Sequence, residues 1–179
     1  MIKIGIDVGS TTAKLVAVDE NDNLLFSKYE RHNAKAKETI LSFLKELLSE
    51  IGDKDISVRI TGSIGMGISE KCSLPFVQEV VAAAKAIQKD YSHVTSMIDI
   101  GGEDAKVVFF NDAEATDLRM NGNCAGGTGA FIDQMAIILG VNIDELNQLA
   151  MNATQVYPIA SRCGVFCKTD IQNLIAKNV

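Results

Sequence analysis

Hydrophobic and polar positions along the chain sort into short strand-like runs and longer helical stretches. Residues 2–7 read as a short buried strand, and 13–19 and 23–31 as two more, joined across the turn-rich Asn21-Asp22-Asn23. Ile40, Phe43, Leu44, Leu47 and Ile51 fall at helical spacing, predicting a helix over 35–51 that Gly52 ends. A strand at 57–61 follows, then a glycine-rich loop, then a helix near 77–90. The pattern then restarts. Strands are expected at 95–100, 105–110 and 113–118, the last two joined by a turn at Asn111-Asp112, with helices near 128–139, 143–151 and 167–177. No segment reads as a linker, and the only prolines are Pro75 and Pro158.

The restart is visible in the residues themselves. Ile6-Asp7-Val8-Gly9-Ser10-Thr11-Thr12-Ala13-Lys14-Leu15-Val16 aligns with Ile98-Asp99-Ile100-Gly101-Gly102-Glu103-Asp104-Ala105-Lys106-Val107-Val108, both of the form I-D-x-G-x-x-x-A-K-x-V. Apolar positions match easily by chance, but Asp, Gly, Ala and Lys in one register point to an internal repeat and so to two related units.

Composition narrows the classes. The 179 residues suit one ordinary domain or two small lobes, and the 47% hydrophobic content supports a core. A net charge of −6 argues against a nucleic-acid binder, because phosphate backbones select basic faces. No apolar run approaches the ~20 residues of a membrane span. The first strand begins at once, so no signal peptide is expected. The four cysteines, Cys72, Cys124, Cys163 and Cys167, then point to a reducing cytoplasm, where thiolate metal ligation is favoured over disulfides.

Each repeat ends a strand on an acidic residue and enters a glycine turn. Glycine lets backbone approach an anion, and successive N–H groups form a nest for it. Gly9, Ser10, Thr11, Thr12 and Lys14 in the first repeat, and Gly101, Gly102, Glu103 and Lys106 in the second, are candidate phosphate-binding positions. Asp7 and Asp99 are placed to hold Mg²⁺, through water, since that ion keeps much of its hydration. Either hairpin alone reads better as an ordinary turn; the repetition favours phosphate binding. There is no G-x-x-x-x-G-K-[ST], and Gly62-Ser63-Ile64-Gly65-Met66-Gly67 has the wrong order for a dinucleotide fingerprint and reads as a loop.

Ile4-Gly5-Ile6-Asp7-Val8-Gly9-Ser10-Thr11-Thr12 and Asp99-Ile100-Gly101-Gly102 resemble the two phosphate motifs of the actin, heat-shock chaperone and sugar-kinase ATPases. The resemblance implies an α/β, RNase H-like (actin-like ATPase) fold with duplicated βββαβα lobes closing over ATP. The first lobe would span 1–92 and the second, incomplete, 93–179. Phe76 to Ala84 resembles the helix crossing between lobes, which would let Glu79 orient the attacking water; a solvated helix residue is the equal alternative.

Cys124 lies in the loop Asn123-Cys124-Ala125-Gly126-Gly127-Thr128-Gly129 before one predicted helix, and Cys163 lies before another. Helix N-termini stabilise thiolates. Two cysteines fall short of the four thiolates of a [4Fe–4S] cluster, and a symmetric dimer would supply the rest; small apolar loop residues are the alternative. Cys167 reads as a packed residue and Cys72 as core.

The segments Asn121 to Phe131 and Ser161-Arg162-Cys163 resemble signatures of the BadF/BadG/BcrA/BcrD ATPase family, which includes activators of 2-hydroxyacyl-CoA dehydratases and ATPase subunits of benzoyl-CoA reductases. The resemblance implies a homodimer with a [4Fe–4S] cluster bridged by Cys124 and Cys163 of both chains. It implies ATP or ADP bound with Mg²⁺, Gly126 and Gly127 among the cofactor-binding positions, and an electron donor such as ferredoxin or flavodoxin. A 2-hydroxyacyl-CoA dehydratase or acyl-CoA reductase would be the partner. Two residues depart from the pattern: Glu103 stands where glutamine is usual and Ala83 where histidine often is. Family members continue with an adenosine-binding loop and a closing strand and helix, so the chain reads as truncated, stopping within a helix at Lys177-Asn178-Val179. The competing readings are a small-molecule kinase of the same fold, with Asp104 as catalytic base, and an actin-like scaffold.

Overall fold

The computed structural model describes residues 1–111, 114–121, 124 and 126–178, with backbone only for 114–116. Asp112 and Ala113 of the expected turn and strand, Gly122, Asn123 and Ala125 of the cysteine loop, and Val179 lie outside the described residues. The chain divides into two compact units, Met1–Ser92 and His93–Val179.

The first unit runs β1 (Ile2–Val8), β2 (Thr12–Val18), β3 (Leu24–Arg31), α1 (Ala36–Ile51), β4 (Ile56–Thr61), α2 (Gly65–Cys72) and α3 (Glu79–Asp90). β1, β2 and β3 form an antiparallel meander, α1 crosses over, and β4 returns parallel to β1, giving the order β3-β2-β1-β4. Strand side chains alternate between faces. Ile2, Ile4, Ile6 and Val8 of β1 and Ala13, Leu15 and Ala17 of β2 therefore share one face, which buries Ile40, Phe43 and Leu47 of α1. Gly52, at φ 67°, caps α1 and donates its N–H to Leu48. α3 is tethered at its far end by Lys89, which joins Lys3 in pairing with Asp22 and holds that carboxyl down at about 2.

Two expectations need correction here. The segment read as a loop from Gly62 to Gly67 contains the start of α2. Gly65 is helical because it packs closely: a Cβ there would lie 2.9 Å from Ile60 Cγ2. Cys72 is exposed, not core. At the end of α2 the left-handed Ser73 turns the chain back, Leu74 N–H bonds to Ser69, and the Ser69 hydroxyl donates to Leu74 O. Ser69 and Leu74, rather than Cys72, thereby take the inner positions.

The second unit runs β5 (Ser96–Ile100), β6 (Ala105–Asn111), β7 (Glu114–Met120), α4 (Gly129–Leu139), α5 (Ile143–Met151) and α6 (Gly164–Ala176). Its sheet is the antiparallel meander β5-β6-β7. α6 begins at Gly164 rather than 167, with Cys163 as its N-cap, and ends at Ala176. Glycine's weak helix propensity concealed that first turn. Cys167 is buried, as read from the sequence.

The two meanders are built alike. Asp7 pairs with Lys14 across β1 and β2, and Asp99 with Lys106 across β5 and β6. They differ in what lies beyond the first strand. β1 has β4 on its other side, whereas β5 is an edge strand among the described residues. Ile6 and Val8 are 5% and 0% exposed, while their counterparts Ile98 and Ile100 are 70% and 58% exposed.

The contrast predicts unequal costs of truncation. Phe43, 1% exposed, should lose about 3–5 kcal/mol on mutation to Ala, and Ile98→Ala less than about 1 kcal/mol, both read from urea unfolding. Equal losses would mean that β5 is buried as β1 is.

Candidate functional site

Both glycine turns close in the same way. Gly9 N–H donates to Thr12 O at 3.0 Å, and Gly101 N–H to Asp104 O at 2.8 Å. Gly101 has no room for a side chain, since a Cβ would lie 2.5 Å from Asp104 Oδ1. Among the described residues no backbone carbonyl accepts from Ser10 or Thr11 N–H, so both remain available to a ligand.

The charges beside the turns are internally paired. Lys14 Nζ lies 2.7 Å from Asp7 Oδ2 and over the Tyr29 ring. Lys106, only 5% exposed, has Nζ 2.9 Å from Asp104 Oδ2 and 3.8 Å from Asp99 Oδ2. Asp104, the candidate base, is thus ion-paired within its own turn. Asp7 Oδ1 is buried and makes no hydrogen bond. A buried carboxylate oxygen without a donor is costly unless something binds it, which fits a hydrated Mg²⁺ at this residue.

Three residues at the first turn escaped the sequence. Gly62, at φ +91°, lies against Asp7: a Cβ would fall 2.5 Å from Asp7 Oδ1 and 2.4 Å from Val8 O. Ile64 N–H then bonds to Val8 O at 2.9 Å, seating the turn before α2 on the end of β1. His32, 4% exposed, places Nε2 3.0 Å from Gly9 O. None carries a local sequence signal, because each matters through a contact distant in sequence. Glu79 opens α3, half-buried. The segment before it runs beside β4, with Ile60 N–H donating to Pro75 O and Val77 N–H to Ile60 O.

In the second unit the phosphate-type turn and the cysteine loop are joined. Gly129 and Ala130, the first residues of α4, donate their N–H groups to Gly101 O and Gly102 O at 2.9 and 2.8 Å. Asn121 ties β6 to the loop: its N–H and Oδ1 pair with Ala105, and its Nδ2 donates to Cys124 O at 2.9 Å. The N-terminus of α4 therefore serves the turn, not a thiolate. Cys124 instead receives N–H groups from Gly126 and from Gly164 at the start of α6, and these lower its thiol pKa. The two cysteine loops meet backbone to backbone, for a Cβ on Gly126 would lie 3.2 Å from Gly164 N. Gly127 is left-handed, at φ +81°. Asp170 Oδ2 accepts Ala160 N–H at 2.9 Å, fixing the approach to Cys163. Among the described residues no three His, Cys, Asp or Glu side chains gather to hold a metal. A four-thiolate cluster would need two ligands beyond Cys124 and Cys163.

A meander with a crossover strand, its antiparallel part repeated, and an acidic residue followed by a glycine turn at the end of each first strand define an actin-like ATPase fold. The crystal structure of component A of (R)-2-hydroxyglutaryl-CoA dehydratase from Acidaminococcus fermentans superposes with a TM-score of 0.88 at 27% identity, covering 100% of this chain and 70% of that one. The activator of 2-hydroxyisocaproyl-CoA dehydratase from Clostridium difficile, solved with bound ADPNP, gives 0.86 at 29% identity, covering 100% and 67%. The chain belongs to the BadF/BadG/BcrA/BcrD ATPase family, which matches residues 4–179. In sequence it is 28% identical to the dehydratase-activating ATPase of A. fermentans, over 97% of this chain and 67% of that protein. It is also 28% identical to the activator of lactoyl-CoA dehydratase of Anaerotignum propionicum, over 100% and 70%.

The Cys124 environment sets a pH dependence. A depressed thiol pKa in the fold stabilises it above the unfolded thiol's pKa, and that contribution is lost as pH falls through the folded value. Iodoacetamide alkylation of Cys124 should show a midpoint below that of the same thiol in the urea-unfolded chain. Coincident midpoints would remove the role given to the Gly126 and Gly164 N–H groups.

Proposed function

We propose that this chain is the nucleotide-binding part of an ATP-dependent activator that delivers a low-potential electron to a 2-hydroxyacyl-CoA dehydratase or a related acyl-CoA reductase. One observation carries the reading: α4 begins on the carbonyls of the Gly101-Gly102 turn and is preceded by the Cys124 loop. In this reading Gly9 to Thr12 and Gly101-Gly102 bind the phosphates of ATP, and Asp7 and Asp99 position Mg²⁺ through water. Glu79 orients the water that attacks the γ-phosphate. Cys124 and Cys163 of two protomers hold a [4Fe–4S] cluster at the two-fold axis. That group, when bound, supplies the electron taken from a ferredoxin- or flavodoxin-type donor. The Gly126 and Gly164 N–H groups lower the Cys124 thiol pKa and so favour the thiolate, the form that ligates iron. The names of the relatives, activators of several 2-hydroxyacyl-CoA dehydratases, support the partner class; the reducing compartment such a cluster needs supports a cytoplasmic site.

Two measurements test this. In the full-length protein carrying this chain, Asp7→Ala and Asp99→Ala should each lower Mg-ATP hydrolysis by at least about a hundredfold; wild-type rates would remove that residue from the site. Anaerobic reconstitution should give about four irons per dimer in wild type and Cys167→Ser, and almost none in Cys124→Ser or Cys163→Ser. Full iron loading of Cys124→Ser would remove Cys124 from the ligands, and a wild type that takes up no iron would leave the kinase reading as the better one.

A further inference from the structure

His32 stands just past the end of β3 and is among the few polar side chains the first unit buries, at 4% exposure. It reaches the first phosphate-type turn at two points. Its Nε2 lies 3.0 Å from Gly9 O, and its backbone N–H donates to Thr11 O at 3.2 Å. Its other ring nitrogen, Nδ1, is buried without a partner. A carbonyl only accepts, so the ring proton sits on Nε2. The following backbone is held too: Lys35 N–H donates to His32 O at 2.7 Å, and Asn33 and Ala34 are left-handed, at φ 48° and 63°. His32 is therefore clamped from behind.

A trans peptide is planar, with its C=O and the next N–H pointing in opposite directions. Fixing Gly9 O on His32 aims Ser10 N–H away from the imidazole, and fixing Thr11 O aims Thr12 N–H away from β3. One buried residue thus sets two of the turn's peptide planes, Gly9–Ser10 and Thr11–Thr12, in a turn that already closes through Gly9 N–H and Thr12 O. We infer that His32 is a positioning residue that presets the Ser10 N–H of the first turn through its ring, and the entry into β2 at Thr12 through its backbone, so that this N–H needs no reordering when a nucleotide binds. The inference rests on the nucleotide reading of that turn. It gives His32 no part in the chemistry and no contact with the ligand.

The test uses the isotope-labelled full-length protein that carries this chain, with Mg-ATP as probe. In wild type without nucleotide, long-range nitrogen–proton spectra should show the Nε2–H tautomer, and the Ser10 and Thr12 amides should form single sharp signals that shift on titration. His32→Gln places an amide donor as many bonds from Cα as Nε2 and should bind Mg-ATP within about twofold of wild type. His32→Asn is too short, and His32→Leu has no donor; each should bind about five- to tenfold more weakly, the loss of one hydrogen bond, with a broadened Ser10 signal, while the Thr12 signal, set by the backbone N–H of residue 32, stays sharp. Thermal unfolding and the amide spectra of β1 and α1 identify any variant that fails to fold, and wild type and Gln then decide. An Nδ1–H tautomer, or affinity in His32→Leu equal to wild type, overturns the inference while leaving the nucleotide reading intact. If wild type itself binds no Mg-ATP, the nucleotide reading falls and the inference with it.

Discussion

The first turn of α4 is the joint on which the second unit depends. Helix N-termini leave N–H groups without intrahelical partners, and here two of them are satisfied by the carbonyls of Gly101 and Gly102. The absence of a side chain at position 129 eases the approach, as a Cβ there would lie 3.2 Å from Gly101 O, tighter than ordinary contact. Asn121 fastens the same region from the other direction, holding Ala105 and Cys124 at once. A displacement of the 101–104 turn must strain these bonds or move α4 with it. Spatial contiguity of this kind is a route for coupling, and coupling itself is established by finding two arrangements of the helix that both ends bias.

The two repeats use one device for different ends. In the first, Lys14 neutralises one oxygen of Asp7 and leaves the other buried and unbound. In the second, Asp104 draws Lys106 into a shorter contact than Asp99 makes. The substitution of Asp104 for Thr12 at corresponding positions adds a carboxylate to the turn, which the ion pair with Lys106 neutralises. A shared backbone geometry thus carries two different charge patterns.

Much of this was legible in the sequence because it is local. Strand and helix periodicities located β1 through α1 and the α5 boundaries, and Asp, Gly and Lys at fixed offsets marked both turns. What failed was tertiary. Gly65 looked like a loop residue because packing against Ile60, not chain reversal, is its reason for being glycine. Cys72 looked like core because the fold-back at Ser73 could not be foreseen. The spacing of Cys124 suggested the dipole of the next helix, α4, yet its N–H donors are Gly126 and Gly164, the latter 40 positions along the chain. Gly62, His32 and Asn121 act through partners that no periodicity reveals.

The unpaired side of β5 has a consequence for how this polypeptide behaves in concentrated solution. Among the described residues no strand pairs with that side of β5, beside the exposed Ile98 and Ile100, on a chain whose charge of −6 is spread over 179 residues. Such an edge is a template for any extended segment that meets it, including a second β5. Association through such a strip would depend on its local charge more than on the average surface: added salt, which screens the repulsion between copies, would favour it, and a lysine at position 98 would oppose it.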